Sequence, residues 1–199
     1  MSLRHALLGF LSIRPLSGYD LKRYFDASVR HFWTADQAAI YRALGDLEAE
    51  ALVRHERIAQ SSRPDRKVFH LTEAGRAALD AWLATPTPSI PRREPLLVQL
   101  FFTGRIAPEA LRELLRAELA STEAELAGFR GIVAAIEAEQ ASLDEATQVG
   151  PLITITNGVR AALAQREWLR GLLQRQDAGT LTVANLLDEL HTLLRVPEP

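Results

Sequence analysis

Apolar residues return every third or fourth position along most of this chain, and that period breaks in one place. Leu3, Ala6, Leu7 and Phe10 share a helical face behind a capping Ser2, and Pro15 ends the run. Ser17-Gly18 opens a second helix with Leu21, Tyr24 and Phe25 on one side. Thr34 and Gln37 stand at capping-box spacing, and Ile40, Ala43, Leu44, Leu47 and Ala51 follow as an apolar stripe. The period then changes. Residues 52–59 and Val68-Phe69-His70-Leu71 read as two short strands around a polar, proline-containing loop, which makes a hairpin. Thr72-Glu73-Ala74-Gly75 begins a fourth helix reaching Leu83.

Pro86, Pro88, Pro91 and Pro95 then crowd ten residues, a spacing no helix tolerates and an extended connection favours. This divides the chain into residues 1–85, a linker 86–95, and residues 96–199. Past a brief apolar helix at Leu96–Phe102, Pro108 opens a long helix with Leu111, Leu115, Leu119, Ala124 or Leu126, Phe129, Val133, Ile136 and Leu143 as its stripe. Much of that spacing is near 3.5, as in a helix packed along a partner. Gly150-Pro151 is expected to interrupt it. A second long helix carries Leu152, Ile155, Val159, Leu163, Leu169, Leu172 and Leu173. After Gly179, Thr180 or Thr182 caps a last helix with Val183, Leu186, Leu187, Leu190 and Leu194. The expected fold is mainly α: a winged helix-turn-helix with a two-stranded wing, then an all-α dimerisation domain.

Composition excludes some chemistry and charge sharpens the rest. The 199 residues contain no cysteine, so disulfides, thiolate metal sites and a cysteine nucleophile are excluded. No apolar run suits a membrane span, and Arg14-Pro15 stands where a signal peptide would be cleaved, so a cytoplasmic protein is expected. The net charge of −2 conceals an asymmetry. Residues 1–85 hold 12 Lys/Arg against 10 Asp/Glu, net +2, and the remainder holds 11 against 15, net −4. No enzyme signature is present: GxSxG, P-loop, GxGxxG and HExxH are all missing, and no cofactor is implied. His55 and His70 are expected to face each other across the wing as a solvated pair rather than a metal site.

The winged half carries the candidate chemistry. At 100° per residue, Thr34, Ala38, Tyr41, Arg42 and Gly45 lie opposite the apolar stripe of the third helix. A face led by small residues lets a helix sit deep in the major groove. There Tyr41 reaches a phosphate and Arg42 a phosphate or guanine edge. Arg63, Arg66 and Lys67 bring three cations to the hairpin, and Lys22 and Arg23 stand by for phosphates. The stripe Leu111, Leu115, Leu119, Leu126, Phe129, Val133 and Ile136, with Leu186, Leu190 and Leu194, exceeds what one helical hairpin hides, so a homodimer is expected. Trp33 is read as a plug beside the recognition helix and Trp168 as dimer packing, with an effector contact as the second reading of each.

Several blocks carry a family resemblance. Ser17-Gly18-Tyr19-Asp20-Leu21-Lys22, Phe32-Trp33, Ile40-Tyr41-Arg42-Ala43-Leu44, Leu47–Val53, Arg63–Phe69 and Leu71-Thr72-Glu73-Ala74-Gly75-Arg76 resemble the PadR family of bacterial transcriptional regulators. The helical half, by length and placement, looks like the C-terminal domain of the longer subfamily. The resemblance implies a homodimer on an inverted-repeat operator in double-stranded DNA, usually a repressor released by a small-molecule effector. It also implies that Tyr41 faces the major groove and that the wing carries Arg66 and Lys67 to DNA. One departure stands out. Many long-form members have Ser-Gln before Ile-Tyr, whereas this chain has Ala38-Ala39. Base reading then falls to Asp36, Gln37 and Arg42, or to methyl contacts from the alanines. The alternative reading is a helical protein–protein interaction module whose winged domain does not bind DNA.

Overall fold

The computed structural model describes residues 3–29, 32–59, 66–86, 94–139 and 145–195. Ser2, Arg63, Leu143 and linker residues 87–93 lie outside them. The chain divides into two compact units, Met1–Pro91 and Arg92–Pro199.

In the first unit α1 (Leu3–Ile13), α2 (Gly18–Ser28) and α3 (Gln37–Ala49) bury Leu7, Leu8, Leu11, Leu21, Phe25, Ile40, Leu44 and Leu47 in one core. The strands β2 (Val53–Ile58) and β3 (Arg66–Leu71) pair antiparallel and close that core with Val53 and Phe69. The helix α4 (Glu73–Leu83) adds Leu79. Three local features differ from the sequence expectation. The hairpin has a third strand, β1 (Leu16–Ser17), giving the order β1-β3-β2. Its two residues follow a proline and carry no alternation, so the pairing Leu16↔Phe69 and Ser17↔Val68 is set by the core and not by local pattern. Second, α3 is capped by Asp36, whose carboxylate accepts from Ala39 N at 2.6 Å, so Thr34 is outside the helix. An aspartate three residues before a free N–H outcompetes a more distant hydroxyl. Third, β3 begins at Arg66, which puts Arg66 and Lys67 in a strand and not in the loop.

The junctions explain the family blocks. At the end of α3, Ala51 takes φ 56, the left-handed turn that closes a helix, and Leu52 N reaches back to Leu47 O. Thr72 caps α4 through Gly75 N and also donates its hydroxyl to the Ala51 and Leu52 carbonyls. A methyl at Gly75 would lie 2.0 Å from the Leu52 carbonyl oxygen, so Thr72 and Gly75 together set α4 against the start of the wing. Arg4 clasps Glu50 through two hydrogen bonds, and His5 stacks on Trp82 at 4.6 Å, tying α1 to α3 and α4.

The second unit is helical. A short helix α5 (Pro95–Phe101) precedes a long antiparallel pair, α6 (Pro108–Glu139) and α7 (Glu145–Asp177), and then α8 (Val183–Leu194). Leu111 and Leu115 meet Leu169 and Leu172 at one end, and Leu126 and Phe129 meet Ile155 and Ala162 further along. The stripe runs through Leu126, with Ala124 exposed. Gly150-Pro151 does not break the helix, contrary to expectation. Pro151 sits in the second turn and forfeits one backbone bond, and the preceding glycine has no Cβ to meet the proline ring. Thr182, not Thr180, caps α8. No described helix is long and apolar enough to cross a membrane.

Candidate nucleic-acid interface

The recognition face is built on α3. Gln37, Ala38, Tyr41, Arg42 and Gly45 are all exposed there, while Ile40, Ala43, Leu44 and Leu47 hold the opposite face in the core. Asp36 is exposed as expected, but its carboxylate is occupied by the cap, which leaves Gln37 and Arg42 as the polar side chains free to project from the first two turns. Thr34 is exposed on the approach to the helix. Tyr41 is 46% exposed, and its ring lies over the start of α2. A methyl on Gly18 would stand 2.6 Å from Tyr41 Cε1 and 2.7 Å from Cζ. The missing side chain at Gly18 is therefore the seat of the Tyr41 ring.

The cations divide into paired and unpaired sets. Lys22 is bound to Asp26 one turn on, at 2.5 Å, which reduces its availability for phosphate. Arg23 and Arg42 are exposed and have no carboxylate within ion-pair reach among the described residues. On the wing, Lys67 stands directly across the ladder from Arg57, both exposed. Like charges directly opposed are unfavourable in a bare sheet and become favourable with an anion between them. Arg57 was not singled out from the sequence, because only the register of the hairpin sets it across from Lys67. Arg66 is placed differently from expectation. Its guanidinium is hydrogen-bonded to the Asp20 carboxylate, which also accepts from the Ser17 hydroxyl at 2.6 Å. Burial pushes the Asp20 carboxyl up, but the Ser17 hydroxyl and the Arg66 guanidinium outweigh it, and the group lies below its ordinary range. Stability from the ionised form is thus full above the usual carboxylate pKa and is lost as pH falls through the lowered one.

His55 and His70 do not face each other. His55 opposes Phe69 and His70 opposes Arg54, so the two rings lie on opposite faces of the ladder instead of facing each other. His55 pairs with Glu48 and His70 lies 3.5 Å from Glu56. Among the described residues no group of three potential ligands converges on a metal position.

In the helical unit, Leu111, Leu115, Leu126 and Phe129 are buried against α7 of the same chain, and Leu119, Val133 and Ile136 are half-buried there. Their expected place at a dimer seam is thus taken by an intrachain contact, because α7 follows α6 closely enough to cover its stripe. Leu186 is half-buried, whereas Leu190 is 51% and Leu194 81% exposed. The expected effector residues are both half-buried: Trp33 packs on the core of the first unit, and Trp168 on the Leu115–Leu169 cluster of the second.

Comparison with known proteins gives this geometry a context. The model of the transcriptional regulator PadR-like family matches residues 7–81, and that of the virulence activator alpha C-terminal region matches residues 92–176. The probable transcriptional regulator Rv1176c of Mycobacterium tuberculosis is 35% identical over 179 residues, covering 85% of this chain and 94% of that protein. The chain belongs to the PadR-like family of transcriptional regulators. It is a regulator and not an enzyme. Among solved structures, the Vibrio cholerae virulence activator AphA matches with a TM-score of 0.69 and 28% identity, covering 89% of this chain and 99% of that one. Bacillus subtilis PadR in complex with operator DNA matches with a TM-score of 0.76 over 87% of this chain and 98% of that one, at 23% identity, and so speaks for the PadR-like fold. The same PadR has also been solved in complex with p-coumaric acid.

Proposed function

We propose that this PadR-like regulator acts as a homodimeric repressor that binds an inverted-repeat operator through α3 and the wing. The observation that carries the reading is the exposed face of α3, with Ala38 and Gly45 for close approach, Gln37, Tyr41 and Arg42 for contact, and in the same unit the cations Arg23, Arg57 and Lys67, which have no carboxylate partner among the described residues. Small residues let the helix enter the groove, and cations without carboxylate partners release counterions when phosphates replace water. Arg42 reads bases in this scheme, and Arg23, Arg57 and Lys67 hold backbone. The operator complex of Bacillus subtilis PadR, described as a negative regulator, supports both the DNA partner and the sign of control.

The dimer is assigned to the surface left over by the helical hairpin. Along α8, Leu187, Leu190, Leu193 and Leu194 are 49–81% exposed, an apolar row that a second chain would cover. An aromatic acid is the effector class to try first, on the strength of the p-coumaric acid complex of PadR, and Trp33 and Trp168 report on either unit. Footprinting on the DNA upstream of its own gene tests the proposal. Protection of two symmetric half-sites about one helical turn apart is expected. Protection of a single half-site, or none, contradicts it.

A further inference from the structure

The strand β1 joins the wing through only two residue pairs, the outer one being Ser17↔Val68. Arg66 lies two residues beyond Val68 toward the wing tip, on the same face of β3, where no backbone partner from β1 remains. There its guanidinium meets Asp20 Oδ2, an oxygen that also accepts from the Ser17 hydroxyl at 2.6 Å and, more weakly, from the Ser17 N–H at 3.4 Å. Ser17 is buried at 5% exposure, and its hydroxyl accepts in turn from Asp20 N, so the carboxylate is fixed by the first turn of α2 before Arg66 reaches it. The same first turn holds Gly18, against which the Tyr41 ring of α3 rests. One short segment therefore touches both the wing and the recognition helix.

We infer that Arg66 is a positioning residue and not a phosphate contact: with Asp20 it latches the wing to the first turn of α2, fixing the wing relative to α3 for DNA. The inference rests on the DNA-binding reading above and deepens it. Val53 and Phe69 anchor the base of the wing in the core and His55 pairs with Glu48 of α3, so the twist left to restrain is that of the ribbon beyond Val68, and an isolated hairpin is marginal in water. A side-chain ion pair one pleat further out resists that twist. A guanidinium donating to a carboxylate also presents less net charge to DNA than a free one, whereas Lys67 and Arg57, beside it on the ladder, have no such partner among the described residues.

The sign of one substitution separates the two roles. Asp20→Asn keeps an oxygen for the Ser17 hydroxyl but weakens the hold on Arg66 and removes a negative charge. If Arg66 contacted phosphate, this change would free it and tighten binding. If the pair is a latch, binding weakens. Asp20→Asn, Arg66→Ala, their combination and Lys67→Ala are titrated onto the upstream fragment across a range of salt, well below each variant's melting temperature. Asp20→Asn and Arg66→Ala should each weaken binding by about fivefold, the double variant no more than the worse single one. Their salt slopes should match the wild type, while Lys67→Ala should lower the slope by about 0.9 per protomer. Unchanged or tighter binding by Asp20→Asn, or a lowered slope for Arg66→Ala, overturns the latch. Hydrogen exchange without DNA gives an independent reading should the wild-type chain fail to bind the fragment. Faster exchange at the wing-strand amides in both variants is expected, and rates equal to wild type would overturn the proposal.

Discussion

The two units, one of helices and a small sheet and the other of helices throughout, dispose of their apolar surface differently. In the winged unit a single core gathers residues from four helices and all three strands, and the exposed positions on α3 are small or polar. In the helical unit the α6–α7 hairpin buries two separate clusters, and apolar residues remain exposed on α5, on α8 and, at Val149, Leu152, Ile153 and Leu163, on α7 itself. The difference teaches where to look for each partner. A face of small and cationic residues with a closed core behind it suits a polyanion, and a row of exposed leucines suits another copy of the chain.

The largest expected effect tests how tightly the winged core is closed. Gly75→Ala drives a methyl into the Leu52 carbonyl and should cost roughly 3 kcal/mol, lowering the melting of that unit by about 10–20 °C. A thermal melt followed by circular dichroism reads it, and a shift of a degree or two would show that α4 can move away. Next comes the leftover surface of the second unit. Leu190→Arg with Leu194→Arg should convert dimer to monomer in light scattering at micromolar protein while leaving helix content unchanged, since both side chains are exposed in the single chain. The same charge at Leu115, which is fully buried, should instead unfold the hairpin. A double variant that keeps its dimeric mass moves the dimer surface elsewhere.

These two regions were not equally legible in the sequence. The winged unit could be read because its turns carry chemically specific residues: Pro15, the Ser17-Gly18 start of α2 and the Thr72-Glu73-Ala74-Gly75 start of α4 each admit few backbone alternatives. The two-residue β1 could not, since nothing local distinguishes Leu16-Ser17 from a loop and only the register with Phe69 and Val68 makes it a strand. In the helical unit, periodicity located α6 and α7 but could not say what their stripes meet. An apolar seam looks the same whether its partner is the next helix or another chain, and Leu111, Leu115, Leu126 and Phe129 proved to face the next helix. At the interface, Tyr41 and Arg42 were placed by helical phase alone, whereas the pairings of Lys22 with Asp26 and Arg66 with Asp20 needed three-dimensional placement.

Two smaller effects sharpen the contrast within the winged unit. Gly18→Ala displaces the Tyr41 ring and should weaken DNA binding by about tenfold with little change in melting, because the ring is at the surface and its displacement opens no cavity. Comparable losses of stability and affinity would make Tyr41 a core residue rather than a contact. Ala51→Gly relieves the left-handed turn after α3 and should stabilise the fold by about 0.5–1 kcal/mol, with DNA binding unaltered. A loss of stability in the melt would mean that the Ala51 methyl does more by packing than it costs by conformation.

At the centre stands specific DNA binding by α3 and the wing of this acidic chain through a few local cations. Its most direct test is binding of the wild-type protein to its own upstream fragment, measured by fluorescence anisotropy from about 50 to 200 mM salt beside a scrambled fragment of equal length. Preference for the upstream fragment is expected, with an affinity that falls steeply and linearly on a log–log plot as salt rises. Equal affinity for the two fragments, or an affinity indifferent to salt, would contradict it.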